Sequence, residues 1–333
     1  MTRSRIGGLL LATLLGGCGD ADGPGSIPPT AEGPRILFLG GSPRHLYVVH
    51  ANGAGLQQLT SGPQNDGAAF WSHDGTKIYS NRDTGAPPYL YVMNADGSDP
   101  HGITSLPRGE GVTWSPDATR RAFAAYLPSS DDPSDKVESD LYVMNADSTE
   151  LLRVVDLRAP WNCDGFTDCP DVVGPAWSPT GEWIAYATWM TGRALAAYSD
   201  LAIVSPDGTQ QRTLVASHAS AGRWSPDGRQ LAYVDGENGF IPRPSHIAVV
   251  GLNGEPPTIL VDGAADSTWN VAPTWTADGS HIVFSRLPVG MNDSSKIFIV
   301  DALGTGLRQI PGLPSYAVVE DVNPQDLGSS SFP

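Results

Sequence analysis

Trp224-Ser225-Pro226-Asp227-Gly228 reads as the end of a β-strand running into a tight turn. Proline presets φ, a short polar side chain can bond its own backbone, and glycine accepts a positive φ. Variants of these five residues stand at Trp71-Ser72-His73-Asp74-Gly75, Trp114-Ser115-Pro116-Asp117-Ala118, Trp177-Ser178-Pro179-Thr180-Gly181 and Trp275-Thr276-Ala277-Asp278-Gly279. The tryptophans lie 43, 63, 47 and 51 residues apart. Recurrence near that period, with several short strands in each unit, is the signature of a propeller.

Working outward from each tryptophan, three more strands follow. The second is short and apolar, as at Leu231-Ala232-Tyr233, and the third resembles Ile247-Ala248-Val249-Val250. A second tight turn, such as Ser205-Pro206-Asp207-Gly208, leads to a fourth strand ending in a pair such as Leu260-Val261. Residues 36–60 supply strands two to four (Ile36-Leu37-Phe38, Leu46-Tyr47-Val48-Val49, Leu59-Thr60) with no Trp-Ser strand before them. Val318 to Leu327 supplies a lone first strand and its turn, and Val322 stands 47 residues after Trp275, in register. The expected fold is all-β: a six-bladed β-propeller over residues 35–327, closed by pairing of the C-terminal strand with the N-terminal strands. Closure removes the edges that an open sheet would leave.

The Trp-Ser-Pro-Asp-Gly turns and the Tyr-Val-Met-Asn-Ala-Asp-Gly segments resemble those of the TolB-like propellers, over roughly residues 35–327. The resemblance implies tryptophans wedged between blades and first strands lining a central channel. It also implies an envelope protein as partner, a peptidoglycan-associated lipoprotein being one type. The further N-terminal α/β domain of TolB-like proteins is not expected here.

Arg3 and Arg5 precede a short apolar run, Ile6 to Leu15, and then Leu15-Gly16-Gly17-Cys18. The run is too short to span a bilayer and suits a signal peptide. The last four residues resemble a bacterial lipobox. Residues 1–17 are therefore expected to be removed and Cys18 to be lipidated, with residues 18–34 as a Gly- and Pro-rich tether and 328–333 as a tail. The expected location is outside the cytoplasm, lipid-anchored to a bacterial membrane; each buried acyl CH₂ would contribute roughly 0.8 kcal/mol. Cys163 and Cys169, six positions apart, suit a disulfide in an exported chain. A zinc site is the rival, but no histidine is near.

The formal net charge of −16 argues against nucleic acid, which needs a basic stripe. No Gly-x-Ser-x-Gly elbow occurs, and no residues are left over for a hydrolase domain. The seven histidines have no metal spacing. No metal site or cofactor is expected; weak divalent-cation binding by the acidic segment 128–135 is the lesser alternative. Connections after second and fourth strands look long and irregular, whereas those after first and third strands are short. Binding is therefore assigned to the irregular-loop face. There, Asn65, Asp66, Arg108, Glu110, Asp171, His218, Asp266, Asn270, Glu320 and Asp321 are expected to ring the channel mouth. Trp161 and Phe166, in the loop expected to be stapled by Cys163–Cys169, are candidate contact aromatics. These residues suggest a monomeric, non-catalytic scaffold binding an envelope protein or peptide. The alternative is an envelope propeller that binds or cleaves carbohydrate with channel-mouth carboxylates and aromatics such as Trp189 and Trp269.

Lipidation has a direct test. Cys18→Ser is expected to move the exported protein from the membrane fraction to the soluble fraction, measured by fractionation and immunoblotting.

Overall fold

The structure, a computed structural model, describes residues 33–326 apart from 83, 85–89, 104–108, 126–138, 158–170, 192–196, 217, 237–243, 290–294 and 315. The described chain opens with β1 (Arg35–Gly40), β2 (His45–His50) and β3 (Gln57–Gln58). Four-stranded antiparallel sheets follow. The first comprises β4 (Asp66–Trp71), β5 (Lys77–Arg82), β6 (Leu90–Asn94) and β7 (His101–Ile103). Next come β8 (Gly109–Trp114), β9 (Arg120–Ala125), β10 (Asp140–Asn145) and β11 (Leu152–Val155), then β12 (Asp171–Trp177), β13 (Ile184–Thr191), β14 (Ala197–Val204) and β15 (Gln211–Val215). The last two full sheets are β16 (Ala219–Trp224), β17 (Gln230–Asp235), β18 (His246–Gly251) and β19 (Thr258–Val261), and β20 (Thr268–Trp275), β21 (His281–Pro288), β22 (Lys296–Asp301) and β23 (Arg308–Gln309). Finally β24 (Ala317–Val322) returns to β1 and completes the order β24-β1-β2-β3. The result is the expected six-bladed propeller, in which every first strand is innermost.

Closure joins the expected strands: Ile36 faces Val322, Leu39 faces Val318 and Gly40 faces Ala317. A bidentate pair reinforces it, Arg35 Nε and Nη2 donating to the two Asp326 oxygens at 2.8 and 3.0 Å. Bidentate, charge-assisted bonds are the strong class.

The Trp-Ser-x-Asp-Gly turn is held by its own side chains. Ser225 Oγ donates to Asp227 at 2.6 Å and accepts from Gln230 N at 3.0 Å, while Arg229 N donates to Asp227 at 3.1 Å. The same set recurs at Ser72/Asp74, Ser115/Asp117 and Thr276/Asp278. Such local bonding is why Ser and Asp belong in turns. The Ser115 hydroxyl, with the Thr119 N–H, holds Asp117 down to about 2, and the Ser205 hydroxyl, with Thr209, does the same for Asp207.

The tryptophans close the seams between blades. Trp224 packs with Ala176, Leu201 and Ile203 of one blade and Leu231 and Tyr233 of the next. Trp71, Trp177 and Trp275 do likewise at their seams, and Trp114 meets Tyr79 of the preceding blade at 5.9 Å. At the sixth seam Val322 replaces the ring, packed among Ile36, Val283 and Ile299.

Two local readings change. The fourth strand of the opening blade is Gln57–Gln58, not Leu59-Thr60: at Thr60 the hydroxyl rather than the backbone carbonyl accepts from Leu46 N of β2, at 2.9 Å, and it donates to buried Asp66. The region 188–199, read as irregular, is largely hairpin: β13 and β14 pair out to Thr191–Ala197. Its Thr188-Trp189 and Tyr198 are residue types that suit strands.

Trp224→Ala is expected to lower stability by about 3–5 kcal/mol, the range for a large buried aromatic. Leu303→Ala, at a residue 87% exposed, should change it little. Chemical denaturation of the two variants measures the difference.

Candidate functional site

Every first strand is bulged. Its register against the second strand slips between Asp66 and Ala69, Glu110 and Val112, Val173 and Ala176, Ser220 and Arg223, Val271 and Thr274, and opposite Leu37/Phe38 in β24. A bulge adds a residue to one strand and re-aims the side chains beside it. In five blades the slipped residues are small or proline: Gly67-Ala68, Gly111, Gly174-Pro175, Ala221-Gly222 and Ala272-Pro273. In β24 the slipped residue is Glu320.

The bulged strands surround an axial cavity of about 380 Å³. Its mouth lies among the short turns, at His73, Pro116, Pro179, Pro226, Ala277 and Pro324, each the second residue after the wedge. Deeper in, the residue just before each wedge forms a collar. Arg223, Thr274 and Asp321 occupy three consecutive first strands, β16, β20 and β24; Phe70, Thr113 and Ala176 occupy the other three, β4, β8 and β12. The Thr113 hydroxyl is taken by Trp177 N at 3.1 Å, and Val112 lies beside it. One arc is thus charged and polar, and the other is largely apolar.

Glu320 Oε2 accepts from Ala69 N at 3.0 Å and Asp321 Oδ2 from Trp71 N at 2.9 Å, so both carboxyls also stitch β24 to β4. Asn323 Nδ2 extends the stitch to Gly75 O at 3.2 Å. A Cβ on Gly75, where φ is +65°, would meet Asn323 at 2.5 Å. Burial pushes Glu320 up to about 7, with Ala69 N–H, Arg223 and Arg44 pulling it down and Asp321 pushing it further up. Burial also pushes Asp321 up to about 6, against the Trp71 N–H and Arg223. A carboxyl that titrates near neutrality inside a cavity marks a candidate site.

Among the described residues expected at the channel mouth, only Glu320 and Asp321 line this cavity. Asp66, Asp171 and Asn270 do not, because the starts of first strands are stitched to the preceding blade. Asp66 is buried against Arg82 and His45, each at 3.5 Å, and its N–H donates to Arg44 O at 2.9 Å. Asp171 accepts from Ser139 N at 2.9 Å. Asn270 donates to Ser245 O at 2.7 Å and accepts from Arg286 Nε at 2.8 Å. Asn65 accepts from Arg44 N at 2.9 Å at an exposed position. Asp266 lies in an exposed turn, 3.6 Å from Arg286. His218 has a left-handed backbone, φ 65°, and its carbonyl accepts from Gly236 N. The Glu110 backbone belongs to β8. Arg108, Trp161, Phe166, Cys18, Cys163 and Cys169 fall outside the described residues, as does the acidic segment 128–135. Among the described residues no group of three or more His, Cys, Asp and Glu could hold a metal ion.

Arg223 and Phe70 were missed. The signal available was their position immediately before the repeated tryptophan, where every blade contributes to one ring. The cavity also opens among the short turns, opposite the irregular-loop face to which binding was assigned.

No protein-family model matches the chain, and no curated protein does. Solved structures do. TolB from Acinetobacter baumannii is 17% identical, covering 89% of this chain and 68% of that one, with a TM-score of 0.66. A chain of a nidogen/laminin complex is 11% identical over 87% of this chain and 97% of its own, with a TM-score of 0.59. An oligogalacturonate lyase from Vibrio parahaemolyticus is 15% identical over 83% and 74%, with a TM-score of 0.51. At these identities the likeness shows the fold: a six-bladed propeller of the TolB-like kind.

The carboxyls make stability pH-dependent in two opposed ways. Glu320 and Asp321 bind protons more tightly folded than unfolded, so stability falls as pH rises from about 4 to about 7. Asp117 and Asp207 bind them less tightly, so stability also falls as pH drops from about 4 to about 2. Thermal melts across pH should peak near pH 4–5, and Glu320→Gln with Asp321→Asn should flatten only the upper limb. An unchanged upper limb in that variant contradicts the assignment.

Proposed function

We propose that this chain is a non-catalytic binding protein of the bacterial cell envelope, tethered by acyl chains on Cys18, whose axial cavity receives a polypeptide segment of another envelope protein. The observation that carries the reading is the two-sided collar. An arc with Arg223, Thr274 and Asp321 faces an arc with Phe70 and Ala176, so a segment with one polar and one apolar side is complementary to it. Mostly apolar pockets with a few placed polar groups are the usual form of a binding site. Propellers of this shape occur in TolB and in a nidogen/laminin complex, in keeping with a scaffold that meets other proteins.

Carbohydrate binding or cleavage is the second reading. In its favour, Glu320 titrates near 7, where general acid–base catalysis is efficient. Against it, one oxygen of each carboxyl is already held by β4, and Trp189 and Trp269 do not line the cavity.

Photocrosslinking separates the two. A photoreactive residue replacing Ala277 at the mouth should capture a polypeptide in intact envelopes, and the same residue replacing Leu303 on the outer rim should not. Arg223→Ala should abolish the adduct. No adduct at Ala277, with glycan cleavage that is lost in Glu320→Gln, would overturn the binding reading in favour of the second.

A further inference from the structure

The collar contains bonding capacity that the described residues leave unused. Among the described residues Arg223 makes one long hydrogen bond, Nη1 to Gly222 O at 3.5 Å, although a guanidinium carries five N–H donors. Glu320 uses Oε2 on Ala69, while Oε1 has no partner among them. Both side chains line the cavity, on β16 and β24, with Thr274 of β20 between them. Facing them are Phe70, Val112 and Ala176. A ligand that satisfies all of this needs a donor for Glu320, an acceptor for Arg223 close to that donor, and an apolar group pointing the other way.

Few groups meet those conditions. A mid-chain residue can bond both groups, but its neutral N–H is a weaker partner for a carboxylate than a cation is. A lysine side chain brings a cation but no adjacent acceptor for Arg223. An anion meets Arg223 and is repelled by the two carboxylates. An α-ammonium with its own carbonyl oxygen and an apolar side chain meets all three at one tetrahedral carbon. The small cavity suits one residue at the end of a chain, and the acidic body, with a formal charge of −16, favours approach of a positive end.

We infer that the cavity recognises an α-ammonium residue with an apolar side chain. The ammonium donates to Glu320, its carbonyl or carboxylate oxygen accepts from Arg223, and the side chain packs on Phe70, Val112 and Ala176. The inference rests on the binding reading above and specifies which part of the partner enters. The same chemistry has two sources, the amino-terminal residue of a polypeptide or a free amino acid.

The test is titration calorimetry on the wild-type protein at pH 7.5 with three probes: Leu-Ala-Ala amide, its N-acetyl form, and free leucine. The free-amine tripeptide should bind and acetylation should weaken it about tenfold or more, a loss in keeping with removal of one charge-assisted bond. Glu320→Gln, which keeps the side-chain shape and can still accept from Ala69 N, should weaken the free-amine tripeptide comparably and leave the acetylated one unchanged. A melting curve checks that the variant is folded. Leucine binding without tripeptide binding assigns the site to a free amino acid and removes the polypeptide partner from the reading above. Equal binding of free and acetylated tripeptide, or no heat from any probe at millimolar concentration, overturns the inference. A polypeptide crosslinked at Ala277 together with equal binding would leave the binding reading standing and sink only this one.

Discussion

Pairing of β24 with β1 is the constraint on which the rest of the molecule depends. The other five sheets each take four strands in chain order, so each could form locally. The sheet of β1 cannot be completed without residues almost three hundred positions away, and loop closure over that distance has to be offset by what the contact gains. The gain is broad. The ladder from Ile36–Val322 to Gly40–Ala317 covers an edge that would otherwise be open. Val322 fills the seam that has no tryptophan. Arg35 and Asp326 fasten the strand at its end. Glu320, Asp321 and Asn323 bond onward to the neighbouring blade, so the closing strand is held from both sides.

The same strand gives the channel its chemistry. Five first strands carry small residues or proline at their bulges; a Cβ on Gly111 or Gly222 there would meet Pro175 at 3.0 Å or Leu201 at 2.6 Å in the adjoining blade. The sixth carries Glu320, next to Asp321, at the equivalent place. Enclosure raises both carboxyls, and Arg223 two blades away opposes the rise without cancelling it. The collar is therefore asymmetric although the scaffold repeats. Cavity chemistry and ring closure are parts of one local arrangement, and a change at Glu320 or Asp321 bears on both.

How much of this was legible follows from how local each signal is. The Trp-Ser-x-Asp-Gly turns could be read because their bonds lie within six residues, as from Ser225 to Gln230. The closing strand could be read because Val322 keeps the tryptophan register. The bulges could not. Glu320 and Asp321 are expected at the mouth only as polar residues at the start of the strand; strict alternation would send them to opposite faces, and nothing in the local residues announces the slip in β24. The polar starts of first strands misled for another reason. Asp66, Asp171 and Asn270 look like a channel rim, but their partners, Arg44, Ser139 and Ser245, belong to the preceding blade and precede its third strand. Those contacts exist only after blades dock.

Hydrogen exchange at the closing strand tests the central claim most directly. Amides of Val318–Val322 and Ile36–Leu39 should exchange as slowly as those of Leu231–Val234 in the middle of an ordinary blade, because all lie in one closed ring. Exchange at Val318–Val322 as fast as in an unstructured tail, with Leu231–Val234 still protected, would contradict closure and remove the basis for the collar.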